Sequence, residues 1–95
     1  MPYQNAEPLR VALHLYLGRH SMTATQFAEK AKLHRASVDR MLNGGSKFIP
    51  PRTAAKWAAG LDWTEEQLFS YVPTQAEVDL VLLKYGIKKG DPNVG

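Results

Sequence analysis

Apolar residues recur every three or four positions along most of the chain, which is the spacing of one face of an α-helix. No run of alternating apolar and polar residues bounded by turn residues indicates a strand. The pattern therefore predicts an all-α protein. The six expected helices are Pro8 to about Gly18, one from Thr23, about Arg35 to Asn43, Pro51 to near Gly60, one after Thr64 and one after Thr74.

The expected helix boundaries have local physical reasons. Thr23 is a suitable N-cap, because its hydroxyl can accept a hydrogen bond from a backbone N–H of the first turn. Thr64 and Thr74 are each followed three residues later by Gln or Glu, which is the spacing of a capping box. Gly18 suits the end of the first helix, and Gly44-Gly45 suits the end of the third.

Residues 23–44 read TATQFAEKAKLHRASVDRMLNG, which is two short amphipathic helices joined by a break at residues 32–34. Such a pair is typical of a helix-turn-helix, whose second helix enters the major groove of DNA. The outer face of that second helix carries short or hydrogen-bonding side chains that suit the reading of base edges. The predicted base contacts are Arg35, Ala36, Ser37, Asp39 and Arg40.

Arg40 is the first candidate among these base contacts, because an arginine can bond two acceptors on one guanine. Arg35 could reach a base or a phosphate. Asp39 lies four residues after Arg35, so the two could equally form a simple surface ion pair.

Positive charge is concentrated around this motif. Residues 19–56 carry eight lysines and arginines against two acids, a net charge of +6, whereas residues 1–18 are neutral and residues 57–95 carry −3. A polyanion would bind where this charge lies, although a solvated basic face is the alternative. Threonines near a helix N-terminus and cations in the following segment are candidates for phosphate contacts. The predicted phosphate contacts are Thr23, Thr25, Asn43, Lys47 and Arg52.

Four large apolar residues are interpreted by their position, two in helices and two in a loop. Phe27 and Trp57 lie within apolar helical stripes and are predicted to be in the core. Phe48 and Ile49 lie in the loop before the fourth helix. They could staple that loop to the helix, form an apolar wedge against DNA or contact a partner.

Taken together, these segments resemble the Cro and phage-repressor helix-turn-helix family, also called the xenobiotic response element family, over about residues 9–72. Phe27-Ala28-Glu29-Lys30 stands at the family's leucine-alanine-glutamate-lysine motif, and WAAGLDWTEEQLF stands where the family has its last capped helix. The resemblance implies a compact five- to six-helix lambda-repressor-like domain that binds DNA. The chain differs from the family at Ala24, where glutamine is usual, at Lys32, where glycine is usual, and in the loop between Gly44 and Pro51.

The length predicts one domain, residues 1–90, with a C-terminal helix at 74–87 and a flexible tail at 91–95. A single module of this type covers little DNA, so specific binding favours two copies on adjacent half-sites. Leu80 and Leu83 widen the apolar stripe of the last helix. That helix could form a homodimer or only close the core of the monomer. The predicted dimer contacts are Val78, Val81, Leu82 and Tyr85.

The chain has no cysteine, no leader-like start and no apolar run of the roughly 20 residues that cross a bilayer, so we expect a cytoplasmic protein without membrane contact. Its three histidines lack metal-binding spacing and no nucleophile motif is present, so we expect neither an enzyme nor a cofactor. The leading hypothesis is a transcriptional regulator, a small bacterial or phage repressor that binds specific sequences of double-stranded DNA. The alternative is an antitoxin-like or adaptor module that binds a protein partner.

Overall fold

A computed structural model of the protein describes residues 4–85, with side chains for residues 5–83. The predicted all-α class is confirmed. The predicted tail and the end of the predicted last helix, Ile87, lie outside the described residues. The helices of the described chain are α1 (Glu7–His20), α2 (Ala24–Ala31), α3 (Arg35–Leu42), α4 (Pro51–Gly60), α5 (Glu65–Ser70) and α6 (Gln75–Tyr85).

The main core lies between α1 and the four helices that follow it. Phe27 of α2 is fully buried and stacks on Trp57 of α4, with ring centroids 5.9 Å apart. Tyr16 of α1 meets the same phenyl ring edge-on, also at 5.9 Å. Val38 and Met41 attach α3 to this core. The prediction that Phe27 and Trp57 are core residues is confirmed.

The threonine N-caps form as the sequence predicts. The Thr23 hydroxyl accepts a hydrogen bond from the Gln26 backbone N–H at 3.1 Å, and the Gln26 side-chain oxygen accepts one from Thr23 N–H at 2.9 Å. The same reciprocal pair occurs at Thr64 and at Thr74. These bonds satisfy backbone donors that have no partner within a helix.

Two helix ends depend on left-handed residues other than glycine. α1 continues past Gly18, and Ser21 takes the left-handed conformation with φ 49°, so the expectation that Gly18 stops the helix is wrong. Lys32 has φ 61° at the end of α2, which costs about 1 kcal/mol relative to glycine. The tight turn before α3 is thus kept without the glycine that is usual there.

A pair of two-residue strands, which the sequence did not predict, joins the loop after α3 to the start of the described chain. β1 (Gln4–Asn5) pairs antiparallel with β2 (Phe48–Ile49). The Ala6 backbone N–H extends the pairing by donating to the Lys47 carbonyl at 3.0 Å. Ile49 is buried in the core, whereas Phe48 is exposed. Of the alternatives for these two residues, Ile49 therefore acts as the staple that holds the loop.

Helix α6 packs against α1 and closes a second, smaller cluster. Val81 is only 2% exposed and packs with Val11 and Leu15, and Val78 packs against the same cluster. A side chain so deeply buried in one subunit is not available to a second subunit. Val81, which the sequence predicts as a dimer contact, thus lies on the face of α6 that covers α1.

The outer face of α6 carries different apolar residues from the ones predicted. Leu80 is 44% exposed and Leu83 is 85% exposed, while Leu82 is half-buried. The side chain of Tyr85, also predicted as a dimer contact, lies outside the described side chains. Among the described side chains of α6, Leu80 and Leu83 are the exposed large apolar ones.

Lys30 ties α2 to α1 and to the turn after α4. Its ammonium group donates to the Gly60 carbonyl at 2.9 Å, to the Asp62 carboxylate at 3.0 Å and to the Tyr16 hydroxyl. Tyr16 also donates to the other Asp62 oxygen at 3.1 Å. Hydrogen bonds from Lys30 and then Tyr16 lower the pKa of the Asp62 carboxyl. Lys30, which stands in the family's four-residue motif, has a structural role here.

His14 links α1 to the end of α3 from a buried position. Its Nε2 lies 2.9 Å from the Leu42 carbonyl oxygen, so a neutral ring can donate through Nε2–H. Burial lowers the pKa of the imidazole, and the nearby positive charge of Arg10 lowers it further, whereas the hydrogen bond to Leu42 acts in the opposite direction. The net effect favours the neutral ring.

The lowered pKa of His14 predicts a loss of stability in mild acid. The unfolded chain takes up a proton near pH 6.5, whereas the folded chain does so only at lower pH, so the free energy of unfolding should fall as pH drops below about 6.5. Urea titrations between about pH 7.5 and 5 would measure this dependence. His14→Gln should flatten it, and His34→Gln, at an exposed position, should leave it in place. An unchanged slope in His14→Gln would contradict the assignment.

Candidate nucleic-acid interface

Helix α3 has one buried face and one exposed face. Val38 and Met41 are at most 1% exposed and hold the helix against the core. Three of the predicted base contacts are exposed on the other face: Arg35, Ala36 and Arg40. The other two predicted base contacts, Ser37 and Asp39, are half-buried. The helix is thus rigidly supported on one side and presents two arginines on the other.

Arg35 and Asp39 form an ion pair along the surface of α3. The Arg35 Nε lies 3.4 Å from an Asp39 carboxylate oxygen, and the two side chains are 65% and 44% exposed. An exposed pair at this spacing contributes at most about 0.5 kcal/mol. Opening the pair therefore costs little, so the arginine remains available to a phosphate or a base.

A narrow groove runs between α3 and the start of α4. It brings Ser37 and Arg40 of α3 together with Ser46 and Pro50 of the following loop and Thr53 of α4. Leu33 and the buried core residues Met41 and Trp57 lie at the floor of this groove. The groove therefore joins two predicted base contacts to the loop that carries predicted phosphate contacts.

A second groove continues the first along the helix-turn-helix turn. It shares Ser37 and Thr53 with the first groove and adds Lys32, His34 and Lys56. We call the surface along both grooves the α3–α4 surface. It brings two lysines, 24 residues apart in sequence, to the same side of α3.

Lys32, Thr53 and Lys56 are candidate contacts that sequence reasoning did not select. Thr53 and Lys56 lie three residues apart and so share a face of α4, which the sequence alone indicates. Their position beside the turn at Lys32 depends on how α4 packs against α2. That tertiary arrangement is not encoded in any local pattern.

The threonines predicted as phosphate contacts lie at the start of α2. Thr23 and Thr25 are both exposed, and neither lines the α3–α4 surface. The Thr23 hydroxyl already accepts the capping hydrogen bond from Gln26. Its own proton can still be donated to an anion, so the cap leaves Thr23 with one free donor function.

The other three predicted phosphate contacts surround the loop between α3 and α4. Asn43 is the exposed C-cap of α3, and its backbone N–H donates to the Asp39 carbonyl at 2.9 Å. Lys47 is exposed, and its backbone is held by the hydrogen bond from Ala6. Arg52 lies in the first turn of α4 and lines an open groove beside Phe48 and the two prolines that begin the helix.

Neither a metal site nor a membrane-spanning helix is found within residues 4–85. No cluster of three or more His, Cys, Asp or Glu side chains in this part of the chain could hold a metal ion. None of its helices combines the length and the apolar character needed to span a membrane.

Searches of curated proteins and of solved structures gave no significant match. A family model described as the Cro/C1-type HTH DNA-binding domain matches residues 12–74, which include the helix-turn-helix and the α3–α4 surface. Because this match covers more than half of the chain, the protein belongs to the Cro/C1-type helix-turn-helix family of DNA-binding domains.

Proposed function

We propose that the protein is a sequence-specific transcriptional regulator of the small bacterial or phage repressor type. Helix α3 enters the major groove of an operator, where Arg40 and Arg35 read base edges with Ala36, Ser37 and Asp39 beside them. Occupation of the operator blocks access of the transcription machinery. This proposal goes beyond DNA binding, which follows from the family.

The observation that carries the proposal is the exposed face of α3 beside a basic surface. Arg35 and Arg40 project from a helix fixed by two buried residues, and Lys32 and Lys56 line the surface next to it. A supported helix with exposed arginines suits base contacts, whereas flanking lysines suit phosphates. The same lysines would also hold the helix in one register along the groove.

Two copies would bind together in this proposal. One such module covers too little DNA for high specificity, so half-sites about one helical turn apart favour a homodimer. The exposed Leu80 and Leu83 on α6 are the apolar residues that support a contact between copies.

Selection of bound duplexes from a random DNA pool, at near-physiological salt, tests the proposal. An enriched palindrome with half-sites roughly ten base pairs apart would support a dimeric operator-binding regulator. Failure to enrich any sequence, with only weak and salt-sensitive binding, would contradict it. That second outcome would favour the alternative, a module that binds a protein partner through exposed apolar residues such as Val72 and Leu83.

The lysines of the α3–α4 surface should change the salt dependence of DNA binding. Each phosphate contact that is lost reduces the slope of log affinity against log salt by about 0.9. We expect Lys32→Ala and Lys56→Ala to have this effect, as well as Lys47→Ala and Arg52→Ala in the loop and in α4. Arg19→Ala is the matched control, since Arg19 is an exposed cation at the end of α1 that lines a different groove. If the salt slope is unchanged in the lysine variants, the α3–α4 surface does not contact DNA phosphates.

A further inference from the structure

The stem of Arg40 lies directly against the backbone of the loop that follows α3. The Gly45 backbone N–H donates to the Arg40 carbonyl at 2.9 Å, which folds the loop back over the last turn of the helix. A Cβ atom on Gly45 would lie 3.0 Å from Arg40 Cγ and 3.9 Å from its Cδ. A side chain at position 45 would therefore require the Arg40 stem to shift by a few tenths of an ångström.

The backbone itself does not require glycine at this position. Gly44 has φ 79°, which favours glycine, whereas Gly45 is not among the positive-φ residues of the described chain. An alanine at position 45 is therefore compatible with the loop conformation. Its methyl group would instead meet Arg40 at Cγ, close to the helix, where a small displacement changes the direction of the whole side chain.

We propose that Gly45 is a positioning residue for Arg40, and that its missing side chain sets the direction in which the guanidinium group leaves α3. This inference rests on the proposed role of Arg40 in base reading. Two donors of the guanidinium must meet two acceptors on one base at the same time, so the direction in which the side chain leaves α3 affects base reading. Gly45 contributes to sequence discrimination through Arg40 without itself touching DNA.

The test compares wild type, Gly45→Ala, Arg40→Ala and the double variant on a selected duplex and on a random duplex of equal length. We expect Gly45→Ala to reduce the preference for the selected duplex by about 3- to 10-fold, less than loss of the whole arginine, and to leave the salt slope unchanged. In the Arg40→Ala background the same substitution should have no further effect, because the side chain that it displaces is absent.

Further measurements separate positioning from folding. The thermal midpoint of Gly45→Ala should lie within about 3 °C of wild type, and Gly45→Ser should reproduce its binding phenotype. Gly18→Ala, at an exposed position in α1, is the matched control and should leave DNA preference unchanged. NMR relaxation of the Arg40 side-chain Nε–H in the free protein provides a readout independent of DNA. Gly45→Ala should change the relaxation rates of this N–H group.

The outcomes distinguish the two proposals. If wild type shows no preference for any sequence, the proposed function is wrong and the role of Gly45 in discrimination is wrong with it. If wild type discriminates but Gly45→Ala discriminates equally well, only the positioning role is overturned. A loss that is as large in the Arg40→Ala background as in wild type would also overturn it, since Gly45 would then act independently of Arg40.

Discussion

Replacing Gly60 by alanine should lower the free energy of unfolding by about 2–3 kcal/mol, because α4 approaches α2 too closely at this point for a side chain. A Cβ on Gly60 would lie 2.6 Å from Phe27 Cζ and 2.8 Å from Ala31 Cβ. The phenyl ring cannot move aside easily, since it stacks on Trp57 and meets Tyr16 edge-on. A loss of this size is a large part of the 5–15 kcal/mol that stabilises a typical domain.

Urea denaturation of matched variants would measure this effect. Gly18→Ala makes the same substitution at an exposed helical position, where it should instead stabilise the protein by roughly 0.5–1 kcal/mol through helix propensity. Phe27→Leu removes the ring atoms that clash, so the double variant with Gly60→Ala should be more stable than the sum of the single losses predicts. If Gly60→Ala were as stable as wild type, the close helix approach would be wrong.

The sequence predicts the end of α4 near Gly60 but does not show why this position needs glycine. The sequence places the end of α4 near this glycine, and the structure agrees. The left-handed residue after α4, however, is Asp62 with φ 64°, held by Lys30 and Tyr16. The requirement for glycine at position 60 comes from a neighbouring helix, and no local pattern contains that information.

Helix starts were predictable because their causes are local. A threonine cap and its Gln or Glu partner lie three residues apart, so the complete hydrogen-bonding unit is visible in the sequence. The exposed side of α3 was predictable in part for a related reason. With Val38 and Met41 as core positions, helical spacing places Ala36 and Arg40 on the outside. Arg35 lies three residues before Val38, so spacing alone does not determine its exposure.

Helix α6 was harder to interpret because its apolar residues surround most of the helix. Val78, Val81 and Leu82 suggested one stripe, while Leu80 and Leu83 extended it. Periodicity cannot then decide which side packs on α1. The two-residue pairing of β1 and β2 was missed for a similar reason, since segments so short show no alternation, and the pairing joins residues 43 and 45 positions apart.

Arg40→Ala should weaken binding to the selected duplex by roughly 10- to 100-fold, and binding to random DNA much less, because only the selected site offers a guanine edge to both arms of the guanidinium. Equilibrium titrations of both duplexes at one salt concentration would measure the two losses. Arg19→Ala removes an exposed arginine far from α3 in sequence and is the control for charge alone. Equal losses on both duplexes would make Arg40 a phosphate contact.

Arg40→Lys separates charge from geometry at the same position. Lysine keeps the positive charge but not the planar pair of donors that matches two acceptors on one base. We therefore expect Arg40→Lys to keep the wild-type salt slope and to lose much of the preference for the selected duplex. A lysine variant with full preference would mean that Arg40 acts as a point charge, and base reading would then have to come from Arg35 and the shorter side chains of α3.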